Sequence, residues 1–361
     1  MSITTYTMPL GPVHVALEEP VYFNLTVDGE NIKDVELTSG HVHRGMEQLA
    51  MQRNLVKNVT LTERVCSLCS NSHSFTYCMA VENALDLEIP ERAKYLRVLA
   101  EEIKRVASHL FNTAIQAHIA GFKSLFMHVM EVREIMQDVK ETVYGNRMNL
   151  ASNCIGGVKC DVTPELLDYI MKKVDLIEPM IQEIYDIFDT NHIMLTRTKG
   201  LGILPPEDAY ALGVVGPVAR GSGLALDVRK DSPYAAYPDL DFDVVTEQGC
   251  CVHSRTMVRL REIFESLKLI RQCCDRVPDG PVNVHMGTIP VNEAFAHTEA
   301  PRGEVSYYIR TNGSDTPARL KWRVPSYMNW KALGVMMQGC QIAEVALVLN
   351  SIDPCVSCTE R

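Results

Sequence analysis

The chain has 361 residues, with 35 Lys and Arg against 45 Asp and Glu, a formal net charge of −10. That length buries a real core, and 46% hydrophobic with 22% charged residues excludes a disordered chain. The acidic balance excludes nucleic acid as an expected partner, because phosphate backbones are met by basic surfaces. No basic and then apolar leader opens the sequence, and no run of about 18 apolar residues predicts a membrane span.

Residues 21–37 (VYFNLTVDGENIKDVEL) alternate around Asp28-Gly29, which predicts a β-hairpin or meander in an N-terminal β region of about residues 10–40. Pro90-Glu91 opens a helical pattern running to about residue 144, and Gly121 and Gly145 divide or end it. Leu96, Leu99, Ile103, Val106, Leu110, Ala114 and Ala117 recur at helical steps and form its buried stripe. A second helix starts at Pro164 and reaches about residue 189, with Leu167, Ile170, Val174, Ile177 and Ile181 on one face. Residues 200–250 are rich in Gly, Pro and Asp and read as loop. A helix over 254–274, a strand pair over 304–311 and 318–324 around Asn312-Gly313, and a helix over 330–349 complete the pass. The expected fold class is mainly α: a long-helix bundle body over about residues 90–200 with small peripheral β elements, one unit spanning 1–361. Histidines 109, 118 and 128 on the long helix read as core residues, and the methionines near Met127, Met130 and Met136 as core filling.

Twelve cysteines without a secretory leader turn attention from disulfides to metals. Only Cys66/Cys69 and Cys355/Cys358 have C-x-x-C spacing; the other eight are expected to be buried small hydrophobes. Two such pairs make a four-thiolate site for zinc, an iron–sulfur cluster or a soft redox metal. On spacing alone zinc ranks first, although residues 70–354 lie between the pairs and zinc ribbons keep theirs closer. Near the chain's final segment, about residues 300–361, the second pair would place a metal site.

The flanks change that ranking. ERVCSLCSNSH puts Arg64 before Cys66 and His73 after Cys69, and SIDPCVSCTER surrounds the second pair. Together they resemble the R-x-C-x-x-C-x-x-x-H and D-P-C-x-x-C motifs of nickel–iron hydrogenase large subunits. GHVHRGMEQL (40–49), GNRMN and IGGVK (145–159), GPVARGSG with DVR and PY (216–234), APRGE (300–304) and KWRVPSYMNW (321–330) extend the resemblance over essentially the whole chain. Several are shared with the quinone-site subunit of respiratory complex I, which is similar in fold but lacks the four cysteines. GPVHVALEEP and CTER resemble the membrane-bound, energy-converting branch, the Ech-type and carbon-monoxide-induced hydrogenases.

The resemblance implies a nickel–iron centre with CO and CN ligands on iron, Cys66 and Cys355 terminal on nickel, Cys69 and Cys358 bridging. It implies Cys355 as first proton acceptor and Glu19 or Glu18 as the next carboxylate, with the E-P pair favouring Glu19. Arg302 in APRGE would lie over the open face of the metals, and Pro325 with Ser326 would hydrogen-bond a cyanide. His73 would donate to a bridging sulfur. Glu47 resembles a glutamate that in many relatives helps hold a magnesium or iron ion near the carboxyl end, where those relatives carry histidine and this sequence reads Arg361. The family's chemistry is 2H+ + 2e− ⇌ H2, with electrons leaving through a small subunit bearing a 4Fe–4S cluster. A ferredoxin-like cluster subunit, soluble ferredoxin and membrane ion-translocating subunits are the further implied partners, at the cytoplasmic face of the cell membrane. A complex I-like quinone-site subunit and a four-cysteine zinc scaffold are the competing readings. Asp353 reads equally as a helix-capping or a site-shaping residue, and Arg220 and Asp227 as residues of a loop that could face a partner subunit.

Overall fold

In the computed structural model, residues 5–14, 17 and 19–361 are described. Strands β1 (Thr5–Leu10), β2 (Tyr22–Asp28) and β3 (Asn31–Thr38) form an antiparallel sheet in that order. Phe23, Leu25 and Val27 of β2 are fully buried, as the alternation requires, and β1 extends the expected hairpin to three strands.

Helices α1 (Met46–Ala50), α2 (Leu55–Glu63) and α3 (Ser70–Leu85) come next. The sequence pattern did not predict α3 because its first nine residues are all buried, small polar side chains included, so it has no polar face to set a period. The body is built from α4 (Glu91–Ile119), α5 (Lys123–Tyr144) and α6 (Pro164–Thr190). Gly121 and Gly145 take left-handed conformations at the breaks, which divides the predicted long helix in two. The two-residue strands β4 (Asn153–Cys154) and β5 (Gly157–Val158) pair with each other between α5 and α6.

The 200–250 region is mostly irregular, with short helices α7 (His192–Thr198), α8 (Pro206–Ala211), α9 (Pro217–Arg220) and α10 (Val228–Asp231) around it. Helix α11 (Val252–Arg276) then packs along α4 and against α6, closing the bundle. Strands β6 (Glu293–Ala300), β7 (Gly303–Arg310) and β8 (Arg319–Arg323) form a second antiparallel sheet in sequence order. The last segment carries α12 (Pro325–Asn329), α13 (Ala332–Met336), α14 (Val345–Ser351) and α15 (Val356–Glu360).

Residues 330–349 are thus not one helix. The chain breaks at Gly339, whose N–H donates to the Ile32 carbonyl at 2.8 Å, while the Ile32 N–H reaches the Cys340 carbonyl at 2.9 Å. The open edge of β3 captures this backbone, and a tertiary pairing of that kind overrides local helix pattern. Other expectations also yield to position. Met127 is 59% exposed, His118 is exposed, and of the eight remaining cysteines Cys160 is exposed and Cys154, Cys250 and Cys274 are half-buried. Arg220 and Asp227 do not reach solvent: both are buried, and Arg220 is paired with Glu262 at 2.6 Å and Glu299 at 2.8 Å.

Two apolar clusters result, one inside the helical body and one where α2 and α3 meet the β6–β8 sheet. Cys66, Cys69, Cys355 and Cys358 belong to the second.

Candidate metal centre

Both C-x-x-C pairs lie at helix starts. Cys69 precedes α3 and Cys355 precedes α15, so the free N–H groups and positive dipole ends of two helices face the sulfurs. The two turns share one geometry: the Cys69 N–H points at Cys66 Sγ at 3.5 Å, and the Cys358 N–H at Cys355 Sγ at 3.4 Å. The sulfurs of Cys66, Cys355 and Cys358 lie within 4.8 Å of one another, and Cys69 is within hydrogen-bonding reach of Cys66 and Cys358. All four are buried. Hydrogen bonds from Cys355, Cys358 and Cys69 hold the Cys66 thiol well below its ordinary range, so it sheds its proton first.

Arg302 closes one side. Its Nη1 donates to Cys69 Sγ at 3.2 Å, its Nη2 pairs with Asp353 Oδ1 at 2.6 Å, and its Nε donates to the Asp353 carbonyl at 2.8 Å. Burial opposes the charge, but Asp353 and the neighbouring thiols keep this guanidinium ionised well above its ordinary range. Asp353 takes a left-handed conformation, φ 52°, between Ile352 and Pro354, which turns both its carbonyl and its carboxylate toward Arg302. The arginine sits in the tight turn between β6 and β7, where backbone meets backbone. A Cβ on Gly216 would lie 2.3 Å from the Arg302 carbonyl oxygen, so the GPVARG and APRG loops interlock only through glycine.

His73 and Tyr307 close the other side. The His73 ring approaches Cys358 Sγ through Nε2 at 3.2 Å and the Tyr307 hydroxyl through Nδ1 at 2.7 Å. Burial brings the His73 pKa down to about 4 and pushes the Tyr307 hydroxyl well up. A protonated Tyr307 therefore donates to Nδ1, which leaves Nε2–H to donate to the sulfur. Pro325 and Ser326 are buried at the start of α12 and line the small cavity beside Cys69, Cys355 and Cys358. The Ser326 hydroxyl oxygen accepts the Cys355 N–H at 3.0 Å, which leaves its proton free to donate.

The Glu19 carboxylate lands at the first turn of α15, accepting from the N–H groups of Val356 at 2.5 Å and Ser357 at 3.0 Å and from the Ser357 hydroxyl. Glu18 lies outside the described residues. The Glu47 carboxylate is paired with Arg361 at 2.8 Å and Lys321 at 3.1 Å, so two side-chain cations meet its oxygens. That donor set does not fit an added divalent ion. Sequence reasoning missed Tyr307, Ser108, whose hydroxyl accepts from Arg302 at 3.4 Å, and Lys104, whose Nζ donates to the Ser67 carbonyl at 2.8 Å and so braces the first C-x-x-C turn. Tyr307 alone had a signal, the inward alternation Val305, Tyr307, Ile309.

Four buried sulfurs from two distant segments, held between a guanidinium and an imidazole on a long-helix body, define a metal-binding redox subunit. Four soft thiolates with a small lined cavity fit a nickel–iron centre. Residues 44–113 match the family described as nickel-dependent hydrogenase. Residues 120–289 and 284–361 match the respiratory-chain NADH dehydrogenase 49 kDa subunit family. The chain is 57% identical to the carbon monoxide-induced hydrogenase of Rhodospirillum rubrum, over 99% of its own length and 100% of the relative's. It is 35% identical to the membrane-bound hydrogenase subunit alpha of Pyrococcus furiosus, covering 98% of itself and 87% of that protein. A chain of the membrane-bound sulfane sulfur reductase, an archaeal respiratory membrane complex, superposes with a TM-score of 0.94 at 30% identity, over 99% of this chain and 98% of the other. The chain belongs to the nickel–iron hydrogenase large-subunit family, in the membrane-bound, energy-converting branch related to the complex I subunit. Among the described residues no helix is long and apolar enough to cross a membrane.

Proposed function

We propose that this chain is the catalytic large subunit of an energy-converting hydrogenase, interconverting protons and H2 and exchanging electrons with ferredoxin. The observation that carries the reading is the convergence of four buried cysteine sulfurs beside the Arg302 guanidinium. Cys66, Cys69, Cys355 and Cys358 would hold the nickel–iron centre, which when bound supplies an open, polarisable position at which H2 exchanges its electrons. The remaining chemistry belongs to side chains. Cys355 takes the proton, and Glu19, anchored on the same helix turn, passes it outward. Arg302 holds a fixed positive charge over the cavity for a ligand or a developing negative charge. His73 donates to Cys358 and tunes its basicity, as a metal-supporting histidine does. Pro325 and Ser326 line the small cavity beside the sulfurs, and the free Ser326 proton would be available to a cyanide held there.

In this reading residues 1–361 act as one unit, electrons leave through a small subunit with a 4Fe–4S cluster and a ferredoxin-like subunit, and ion-translocating membrane subunits anchor the assembly at the cytoplasmic face. Four converging thiols have no use in a quinone-site subunit. A structural zinc site has no use for a carboxylate on its first helical turn. The test is an infrared spectrum of the complex purified from its native host. Metal-bound CO and CN stretches are expected; their absence together with stoichiometric zinc would overturn the reading in favour of a scaffold.

A further inference from the structure

The far end of α15 departs from what the family resemblance implies, and its geometry gives the reason. Arg361 Nε donates to Glu47 Oε1 at 2.8 Å, and Arg361 Nη1 donates to the Thr359 carbonyl at 3.0 Å. Divalent magnesium and iron of this class bind hard oxygens, carboxylates and carbonyls. Here one planar guanidinium already joins a carboxylate to a carbonyl, the bridging task its fixed fork performs well. Lys321 takes the second Glu47 oxygen at 3.1 Å.

The same neighbourhood grips the rest of the helix. The Val42 N–H donates to Glu360 Oε2 at 2.6 Å, His43 Nδ1 meets the Glu360 carbonyl at 2.5 Å, and Arg44 Nη2 donates to the Ser357 carbonyl at 3.0 Å. A five-residue helix has no stability of its own, so α15 stays formed only because it is anchored. Glu19 anchors its start and this clasp its end.

We propose that Arg361 is the resident cation of this site in place of a divalent metal, and that it positions Cys355 and Cys358 by clasping α15 onto the 42–47 segment. Arg361 touches neither sulfur and acts through the helix, so it is a positioning residue. The inference rests on the metal-centre reading only for its consequence; the identity of the cation is read separately.

The experiment compares the purified complex carrying wild-type chain, Arg361→Lys or Arg361→Ala, before and after EDTA. Magnesium, EDTA-removable iron and nickel are counted per chain, and hydrogen exchange is followed over residues 355–360. Wild type should hold well under one magnesium or removable iron per chain and keep its exchange protection after EDTA. Arg361→Ala should speed exchange over 355–360 by at least tenfold, and Arg361→Lys, which keeps the charge but not the fork joining Glu47 to the Thr359 carbonyl, should recover only part of that protection. One EDTA-removable divalent ion per wild-type chain, with protection lost on its removal, would overturn the proposal. So would an Arg361→Ala variant with wild-type protection. If Arg361→Ala fails to assemble, the wild-type metal count and Arg361→Lys still decide. A wild-type complex lacking nickel would count against the metal-centre reading and leave the Arg361 result standing.

Discussion

Removing the Arg302 guanidinium should loosen the segment carrying the second cysteine pair, and the size of the effect follows from burial. Arg302 and Asp353 are 2% and 4% exposed, and they meet at 2.6 Å. Arg302→Met keeps the stem's packing but deletes three donor nitrogens, and with them the hydrogen bonds to Asp353 Oδ1, the Asp353 carbonyl, Cys69 Sγ and the Ser108 hydroxyl. Asp353 is then a buried carboxylate whose other oxygen, Oδ2, already has no partner. Stranding one member of a buried pair costs about 3–5 kcal/mol. The charge of buried Arg259 also acts across to Asp353, which sets the expectation at the lower end, about 3 kcal/mol. That amounts to roughly a hundredfold faster local opening. Hydrogen exchange over residues 353–358 in the purified complex measures it directly. Adding Asp353→Asn to Arg302→Met removes the stranded charge and should restore much of the protection, giving a coupling energy of about 2 kcal/mol in a double-mutant cycle. Unchanged exchange in Arg302→Met, or two substitutions that simply add, would refute the account of Asp353 as a carboxylate held by this arginine.

Cys355→Ser should abolish H2 turnover while the complex still assembles, since the change is nearly isosteric; ample turnover by that variant would remove Cys355 from the ligand set. Glu19→Gln keeps acceptor geometry at the α15 turn but cannot carry a proton, so turnover should fall by about 10²–10⁴-fold with nickel content unchanged. If Glu18→Gln has that effect and Glu19→Gln does not, the proton belongs to Glu18. His109 should contribute acid lability. Burial lowers its pKa from 6.5 to about 4, so the unfolded chain binds a proton that the fold refuses. Its contribution is intact above about pH 6.5 and is lost as pH falls toward 4, at about 1.4 kcal/mol per unit. Amide protection along α4, measured between pH 6.5 and 5, should therefore decline less in His109→Gln than in wild type. Equal declines would show that His109 is not the group responsible.

The helices with one apolar face were legible because burial on one side writes a period into the sequence. The stripe from Leu96 to Ala117 lies in α4, and the face from Ile170 to Ile181 lies in α6. Where an element is covered on all sides that period vanishes, which is why α3 with its run SNSHSFTYC went unread. The break at Gly339 was invisible for a different reason: its cause is the edge of β3, some three hundred residues earlier. In the site, residue type and motif pointed to the cysteines, His73 and Arg302. Groups that act by holding those residues had no motif to betray them. Lys104 sits mid-helix among charged residues, and Ser108 is one serine among many. Arg361 showed the opposite: its departure from the family pattern was legible, but that it would sit on Glu47 required coordinates.

The cysteines of the centre come from two distant parts of the chain. Two of the four clustered sulfurs belong to residues 66 and 69 and two to residues 355 and 358, with α4, α11 and the β6–β8 sheet encoded in between. Taken in chain order, the cluster stays half-built, with Cys66 and Cys69 at the start of α3, until α15 and its N-cap supply the other two sulfurs. One short helix near the end of the numbering therefore completes the cluster. That same helix is the partner of Glu19 and of residues 42–44, so with the first cysteine pair three distant stretches of chain converge on one five-residue helix.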